Sequence, residues 1–423
     1  MPGDRDVFRA PIGTHDVLPP ESERWQALVA SFAARARRAG FGMLVTPIFE
    51  HIEVVQKLGS TTDVVSKEMY DFDDKGGRHL ALRADGTASV ARAFAQHQPV
   101  TPWKVWYVAP NFRYERPQKG RYRQHWQVGV EVLGVDDPTV DVEVIALAHG
   151  FYREDLGLRR LRLLVNSMGD AETRSRYRTV LLDYWRANAA VLGAEMERAE
   201  ANPLRILDSK RPDWQDMIDA APQIGDHLTD QSTADFEIVQ EGLHALGVDF
   251  EIEPRLVRGL DYYTGTTFEF QADALDGAQN AIGGGGRYDG LVGQMGGKPT
   301  PGIGFGIGIE RVLIACDGEA VFGTPPPAVD VFLIDIVGGV AGVTLLTELR
   351  SAGLSADRTY GNRSAKKQWS VADRAGARWG VMLGPRELAE GKVAVKDLVS
   401  GEQSDVARAE VSAWLRMRKD ESV

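Results

Sequence analysis

The chain has 423 residues, with 49 Lys plus Arg against 60 Asp plus Glu, and its net charge of −11 argues against a general nucleic-acid binder. At about 100 to 200 residues per domain, that length calls for two or three domains, and 43% apolar with 26% charged residues is ordinary for a soluble globular protein. The single cysteine, Cys316, rules out an internal disulfide and a cysteine metal cluster, while the mixed-charge start MPGDRDVFRAP and the broken apolar run VFLIDIVGGVAGVTLL speak against export or membrane insertion, so a cytoplasmic location is expected.

The first predicted element is a helix from about Glu21 to Ala39, with Trp25, Leu28, Val29 and Phe32 at helical spacing and Gly40 as its stop. MLVTPIFEH follows as a strand interrupted by Pro47, which places it at an edge or an interface. A second helix is predicted over Gly86 to Gln96. WKVWYVA and HWQVGVEVLG alternate as half-buried strands joined by a polar loop, an antiparallel hairpin. From about Ala171 to Leu246 the pattern is helical and polar, read as a helical insertion. RLVRGLDYYTGTTFEFQAD then reads as strand, GGGGRYDG as a flexible loop, and GIGFGIGIERVLIA as a strand entering a helix. Three prolines in FGTPPPAVD mark a stiff linker, with a domain boundary near Pro326. Beyond it, VDVFLIDIV, a helix to about Gly353, a short strand, a helix from Ala365 to Ala377, WGVMLG and KVAVKDL alternate as in an α/β domain of about a hundred residues.

Residues two apart share a strand face, so Arg113 and Glu115 project together, and Gln127, Gly129 and Glu131 line one face of the partner strand. Trp126, Val128, Val130 and Val132 take the opposite, apolar face. The polar face reads either as a ligand floor or as a solvated face with cross-strand ion pairs. The connecting loop RPQKGRYRQ favours the first reading, because it is long for a hairpin and basic enough to meet nucleotide phosphates or RNA. In GIGFGIGIER, Gly302, Gly304, Gly306 and Gly308 leave one strand face without side chains, a surface on which a planar base can lie. Arg311 follows at the start of a helix, within reach of phosphates beside that surface. RGLDYYTG sets Arg258 beside Tyr262 and Tyr263; ordinary tyrosine packing is the plainer account. A second basic stretch, RSAKKQW, carries Arg363, Lys366 and Lys367. His125 reads as a strand residue rather than a metal ligand.

Taken together these segments resemble the class II aminoacyl-tRNA synthetases and, among them, the histidyl-tRNA synthetases, over nearly the whole chain. FGMLVTPIFE, FRYE through GVEVLG, and GIGFGIGIER are similar to the three motifs of the class. LVRGLDYYTGTTFE, GGRYDGL, PIGTHDVLP and TTDVVSKEMY are similar to the histidine-specific segments, and NRSAKKQWSVADRAGARWGVMLG with VAVKDLVSGEQ to the anticodon-binding domain. The resemblance implies an α+β fold: a class II catalytic domain over 1–325 with an antiparallel six-stranded sheet, a helical insertion at about 171–252, and an anticodon-binding α/β domain over 329–423. It implies a histidine-tRNA ligase that activates L-histidine with ATP and Mg2+, transfers it to the 3' end of tRNA(His), and works as a homodimer.

Carried onto this sequence, the resemblance makes Arg113 and Arg258 the catalytic cations at the ATP α-phosphate and the histidine carboxylate. Glu115, Arg121 and Arg311 would hold the nucleotide. Asp85, Gly86, Thr87 and Gln127 would hold the α-amino group, and Glu131, Tyr262 and Tyr263 would enclose the imidazole. Arg116 and Gln118 match positions that meet the acceptor end of the tRNA. The chain departs from the family's usual LRPEGT in reading LRADGT, so that Ala84 replaces Pro and the shorter Asp85 replaces Glu. Two rivals remain: a histidine-sensing regulatory subunit of ATP phosphoribosyltransferase, which usually lacks the anticodon domain, and another class II ligase.

Overall fold

The structure is a computed structural model that describes residues 8–57, 59, 62–207, 209, 211–257, 262–275, 280–325, 329–361 and 363–421. The chain divides into two compact units, 1–323 and 324–423. Arg258 and the expected boundary at Pro326 lie outside the described residues.

In the first unit the strands are β1 (Gly42–Met43), β2 (Phe49–His51), β3 (Asp71–Asp73), β4 (His79–Leu82), β5 (Trp103–Phe112), β6 (Gln124–Leu133), β7 (Leu161–Ser167), β8 (Glu251–Ile252), β9 (Thr264–Ala272), β10 (Ala281–Arg287) and β11 (Gly302–Gly308). The main sheet has the order β1-β5-β6-β11-β10-β9-β7-β8. Strands β5 to β7 in that order form six antiparallel strands, as expected. The two short parallel strands β1 and β8 flank them, making eight in all. Pro47 splits the expected early strand in two: β1 joins the main sheet, and β2 joins a small sheet of order β2-β4-β3.

The alternation read in β6 decides which face is core. Val128, Val130 and Val132 are buried with Ile303, Phe305 and Ile307 of β11 and Phe268 and Phe270 of β9. The helix Glu21–Arg38 packs on them through Leu28, Phe32 and Ala36. Each such aliphatic or aromatic side chain contributes roughly 1.5–3 kcal/mol on burial, so this face anchors the sheet. The opposite face is covered at one end by the helix Thr87–His97, whose Ala88, Ala91 and Phe94 belong to a cluster with Val105, Tyr107, Leu133 and Tyr288. Beyond that cover the face opens into a cleft.

Two expectations are corrected here. GGGGRYDG is not a flexible loop: Gly283–Gly286 run inside β10, between β9 and β11. RLVRGLDYYTGTTFEFQAD becomes strand only from Thr264, and Tyr262 and Tyr263 stand just before it.

The second unit contains β12 (Val331–Asp335), β13 (Ala356–Arg358), β14 (Trp379–Leu383), β15 (Lys392–Asp397) and β16 (Gln403–Ala407) in the order β13-β12-β14-β15-β16. The first three are parallel and the last two antiparallel. Leu345 and Leu349 of the helix Val340–Ser351 and Leu415 of the helix Val411–Asp420 pack with Val331, Leu333 and Val381 on one face. Ala372 of the helix Ala365–Arg374 packs with Phe332 and Ile334 on the other. This is the expected α/β arrangement.

Candidate active site

The register of β6 against β11 pairs Gly304 with Glu131, Gly306 with Gly129 and Gly308 with Gln127. The register against β5 pairs Val105 with Glu131, Tyr107 with Gly129 and Ala109 with Gln127. Paired residues share a face, so the polar face of β6 and the glycine face of β11 are one surface. The open-base reading of that surface holds only in part. A Cβ at Gly304 would fall 1.8 Å from Glu131 Oε2, and one at Gly302 would fall 2.4 Å from the Tyr288 ring. These glycines therefore make room for side chains of the protein. At Gly129 the space is taken by the Tyr107 ring, 2.5 Å from a built Cβ. Gly306 and Gly308, by contrast, line the cleft.

Glu131 is fully buried and sits in a cage of hydroxyls. Tyr288 donates to its Oε2 at 2.5 Å, Thr87 donates to its Oε1 at 2.8 Å, and Tyr107 donates to the same oxygen at 3.4 Å. Burial dominates over these donors and pushes the Glu131 carboxyl up to about 8, with nearby Asp85 adding to the rise. Asp85 is buried too. Its Oδ1 accepts from the Ala88 N–H at 3.2 Å, inside the first turn of the helix Thr87–His97, and Tyr262 donates to its Oδ2 at 3.1 Å. Burial raises the Asp85 pKa, and the Arg113 charge opposes the rise. Gly86, at the start of that helix, lies against the Tyr107 ring. The rings of Tyr262 and Tyr263 are 4.6 Å apart. Tyr262 thus joins Asp85, a residue expected in the other half of the histidine site, and its hydroxyl is hydrogen-bonded there.

Along the same face the character changes from hydroxyls to charge. Gln127 Oε1 accepts from Asn111 Nδ2 at 2.6 Å, so its amide is oriented before any ligand arrives. Just past β5, Arg113 donates through Nε to the Ala84 carbonyl at 3.0 Å, which ties its guanidinium to the LRADGT segment. Arg113, Glu115, Arg121, Gln127, Glu269 and Arg311 line a cleft of about 210 Å3. Arg121 pairs with Glu115 at 2.5 Å. Burial and the nearby Arg121 pull the Arg311 pKa down, yet an arginine remains cationic at neutral pH. Burial and then Arg113, Arg121 and Arg311 depress His125 to about 3, so its imidazole is neutral at pH 7.

The loop between β5 and β6 is folded rather than open. Gln118 and Arg121 exchange backbone hydrogen bonds at 3.1 and 2.9 Å, and Arg123 lies over the Tyr114 ring at 3.8 Å. Arg116 and Gln118 are exposed at its tip, away from the cleft lining. In chain order, then, Asp85, Gly86, Thr87, Arg113, Glu115, Arg121, Gln127, Glu131, Tyr262 and Arg311 come together on or beside one sheet face. Tyr107, Asn111, Glu269 and Tyr288 complete it and were not singled out from the sequence. Strand parity could have found Tyr107, which alternates with Trp106 and Val108 on the core side, and Glu269, which alternates with the core residues Phe268 and Phe270. Tyr288 stood within GGRYDG, but only the β10–β11 pairing shows where it points.

A family model for histidyl-tRNA synthetase matches residues 13–312, and one for an anticodon binding domain matches 341–418. The chain belongs to the histidyl-tRNA synthetase family. It is 48% identical over 407 residues to a histidine–tRNA ligase of Rhodococcus erythropolis, covering 95% of each chain. The crystal structure of apo histidyl-tRNA synthetase from S. aureus superposes with a TM-score of 0.82 at 34% identity, covering 97% of this chain and 100% of that one. An ATP phosphoribosyltransferase regulatory subunit/histidyl-tRNA synthetase from Bacillus halodurans shares the fold at 21% identity and a TM-score of 0.61, over 84% of this chain and 93% of that one.

Proposed function

We propose that the hydroxyl cage around Glu131 and the arginine-lined cleft beside it bind the two reactants of histidine activation. The chain is an aminoacyl-tRNA synthetase, a histidine-tRNA ligase, and the observation that carries the site reading is the placement of Glu131. Glu131 is fully buried with three hydroxyls on its two oxygens, a preorganised polar group on the open sheet face with which a ligand can share hydrogen bonds. An imidazole is such a ligand. A neutral Glu131 with a neutral imidazole and a carboxylate with an imidazolium hold the same number of protons, so transfer of one proton along the hydrogen bond interconverts them. An apolar isostere would form no hydrogen bond with the carboxyl, which is the basis of discrimination.

In this reading Asp85, Gln127 and Thr87 hold the α-amino group, with Gln127 Oε1, which accepts from Asn111, offering its second lone pair. Arg113 stands between this pocket and the cleft, where it would meet both the histidine carboxylate and the ATP α-phosphate. The carboxylate oxygen attacks the α-phosphorus, the bond to the bridging oxygen breaks, and pyrophosphate leaves with that electron pair. Arg113, with Arg258 opposite it by family resemblance, stabilises the charge that develops there. Glu115, Arg121 and Arg311 hold the nucleotide. Mg2+ would arrive with the ATP; of the three carboxylates in the cleft lining, Glu310 accepts from the Trp126 N–H, and Glu115 and Glu269 are the two that would face the ion. The terminal adenosine hydroxyl of the tRNA then attacks the adenylate carbonyl and releases AMP, while Arg116 and Gln118 meet the acceptor end.

We assign the first unit to activation and transfer and the second to anticodon recognition. The exposed Met43, Val45, Ile48 and Phe49 of the first class motif are the face through which two copies would pair. Among the described residues no helix is long and apolar enough to cross a membrane, and we place the protein in the cytoplasm. The regulatory-subunit reading is disfavoured by the matched anticodon binding domain and by the curated histidine–tRNA ligases at 95% coverage. The test is charging of unfractionated tRNA by the purified protein with ATP and labelled histidine. Attachment confined to histidine-accepting tRNA is expected; folded protein that charges none, or charges another amino acid, would overturn the proposal.

A further inference from the structure

The two long helices of the insertion, Ala171–Ala187 and Asp230–Ala245, begin at one point. Asp170 caps the first, its Oδ1 accepting from the Thr173 N–H at 2.8 Å, and Thr229 caps the second, its Oγ1 accepting from the Ser232 N–H at 3.3 Å. The caps are themselves joined. Thr229 Oγ1 donates to Asp170 Oδ2 at 2.6 Å, and the Thr229 N–H donates to the Thr173 hydroxyl at 3.2 Å.

This knot is fastened to the chain that leaves the tyrosine pair. The Gly265 N–H donates to the Gly169 carbonyl at 2.9 Å, and the Met168 N–H donates to the Gly265 carbonyl at 2.6 Å. One turn into the first helix, Arg174 reaches back and donates through Nη1 to the Tyr263 carbonyl at 3.2 Å. Its Nε is buried without a hydrogen-bond partner, and burial depresses the guanidinium against the pull of Asp289 and Asp170. A surface ion pair would not leave a donor so placed. On the other side of Tyr263, Thr264 Oγ1 donates to Asp289 at 3.1 Å, and Asp289 follows Tyr288, the residue that holds Glu131. A polar cavity of about 480 Å3, lined by Arg174, Asp170, Asp235, Arg287 and Asp289, separates the insertion from the sheet at this level. The Arg174 contact bridges across a region that is otherwise loosely filled.

We propose that Arg174 is a positioning residue for the histidine pocket: it couples the helical insertion to the Tyr262–Tyr263 segment and so to Asp85 and Glu131. This rests on the reading of that pocket as the histidine site. Arg174 touches neither reactant. Its effect is to fix the Tyr263 carbonyl, and through the adjoining Tyr262 the hydroxyl bonded to Asp85, so that a shift of the insertion changes histidine affinity while the nucleotide cleft is unaffected.

The test is ATP–pyrophosphate exchange with Arg174→Ala, Arg174→Lys, Thr229→Val and the Arg174→Ala/Thr229→Val pair, each checked by thermal melting. Arg174→Ala raises the histidine KM about tenfold and leaves the ATP KM within about twofold and kcat within about threefold. Arg174→Lys keeps a donor but loses the planar fork, and falls between two- and tenfold on histidine KM. Thr229→Val loosens the knot and raises histidine KM about threefold alone, with no further rise in the Arg174→Ala background, the non-additivity expected of residues acting through one element. A histidine KM within twofold of wild type for Arg174→Ala, an ATP KM that rises as much as the histidine KM, or full additivity in the pair would each overturn the proposal. If Arg174→Ala does not fold, Arg174→Lys decides it by the same twofold limit. Wild-type protein without histidine-dependent exchange would overturn the ligase reading together with this inference, whereas an active wild type with unaltered variants would remove this inference alone.

Discussion

The two ends of the site face solve opposite problems. Around Glu131 the protein buries a carboxylate completely and satisfies it with hydroxyls, so the pocket is polar yet nearly neutral and its side chains are locked by one another. In the cleft, arginines and carboxylates stand in partial contact with solvent and partly pair among themselves, as Arg121 does with Glu115. In the proposed function the first arrangement selects, because a ligand that shares hydrogen bonds with Glu131 is favoured over one that cannot. In the same proposal the second attracts and stabilises, because fixed cations act on charge that appears during the reaction. Gln127 and Arg113 lie where the two meet, and both are held in place by protein partners, Asn111 and the Ala84 carbonyl.

If that division is right, the largest effect belongs to the residue at the junction. Arg113→Ala lowers kcat/KM for exchange by about 1,000-fold, near 4 kcal/mol, and raises the KM of both reactants. A change confined to one reactant would show that Arg113 serves a single end. Tyr288→Phe acts only on the selective end: it removes the donor on Glu131 Oε2 and raises histidine KM about tenfold with ATP KM unchanged, as expected for one unmade buried hydrogen bond. Equal changes for both reactants would refute the separation.

The smallest effect is on stability and follows from the Glu131 pKa. The folded carboxyl holds its proton up to about 8, against an ordinary 4.5 when unfolded. Between those values the folded chain binds more protons than the unfolded one, so Glu131 makes stability fall as pH rises through that window. Glu131→Gln removes the dependence. Its melting temperature, measured without ligands, gains on wild type from pH 5 to pH 8.5; a gain that stays constant would mean that the hydroxyls already hold Glu131 ionised.

Much of the nucleotide end was legible in the sequence. The parity of Gln127 with Glu131 requires only that one strand exists, and β6 alternates plainly; Arg113 and Glu115 lie past the end of β5, so strand parity does not place them, and the basic loop that carries them was the legible signal. The selective end was legible only by resemblance. Tyr107, Tyr288 and the glycines that accommodate Glu131 owe their roles to pairings between β6, β11 and β10, which lie far apart along the chain. GGGGRYDG misled for the same reason: its glycines look flexible in isolation but are fitted between two strands, where larger side chains would strike neighbouring backbone. Asp85 is one methylene shorter than the Glu usual in the family. In the structure it is bound to Tyr262 and to the start of a helix, so the smaller residue is integrated into the pocket wall.

The central claim is that Glu131 selects the imidazole while the arginine cleft serves ATP independently. It is tested most directly by histidine-dependent ATP–pyrophosphate exchange in wild type and Glu131→Gln side by side, titrating each reactant in turn. The account predicts exchange by wild type with histidine, and for Glu131→Gln a fall in kcat/KM for histidine of about 100-fold or more with an ATP KM within about threefold. Exchange by Glu131→Gln at the wild-type histidine KM, from a folded protein, would contradict it.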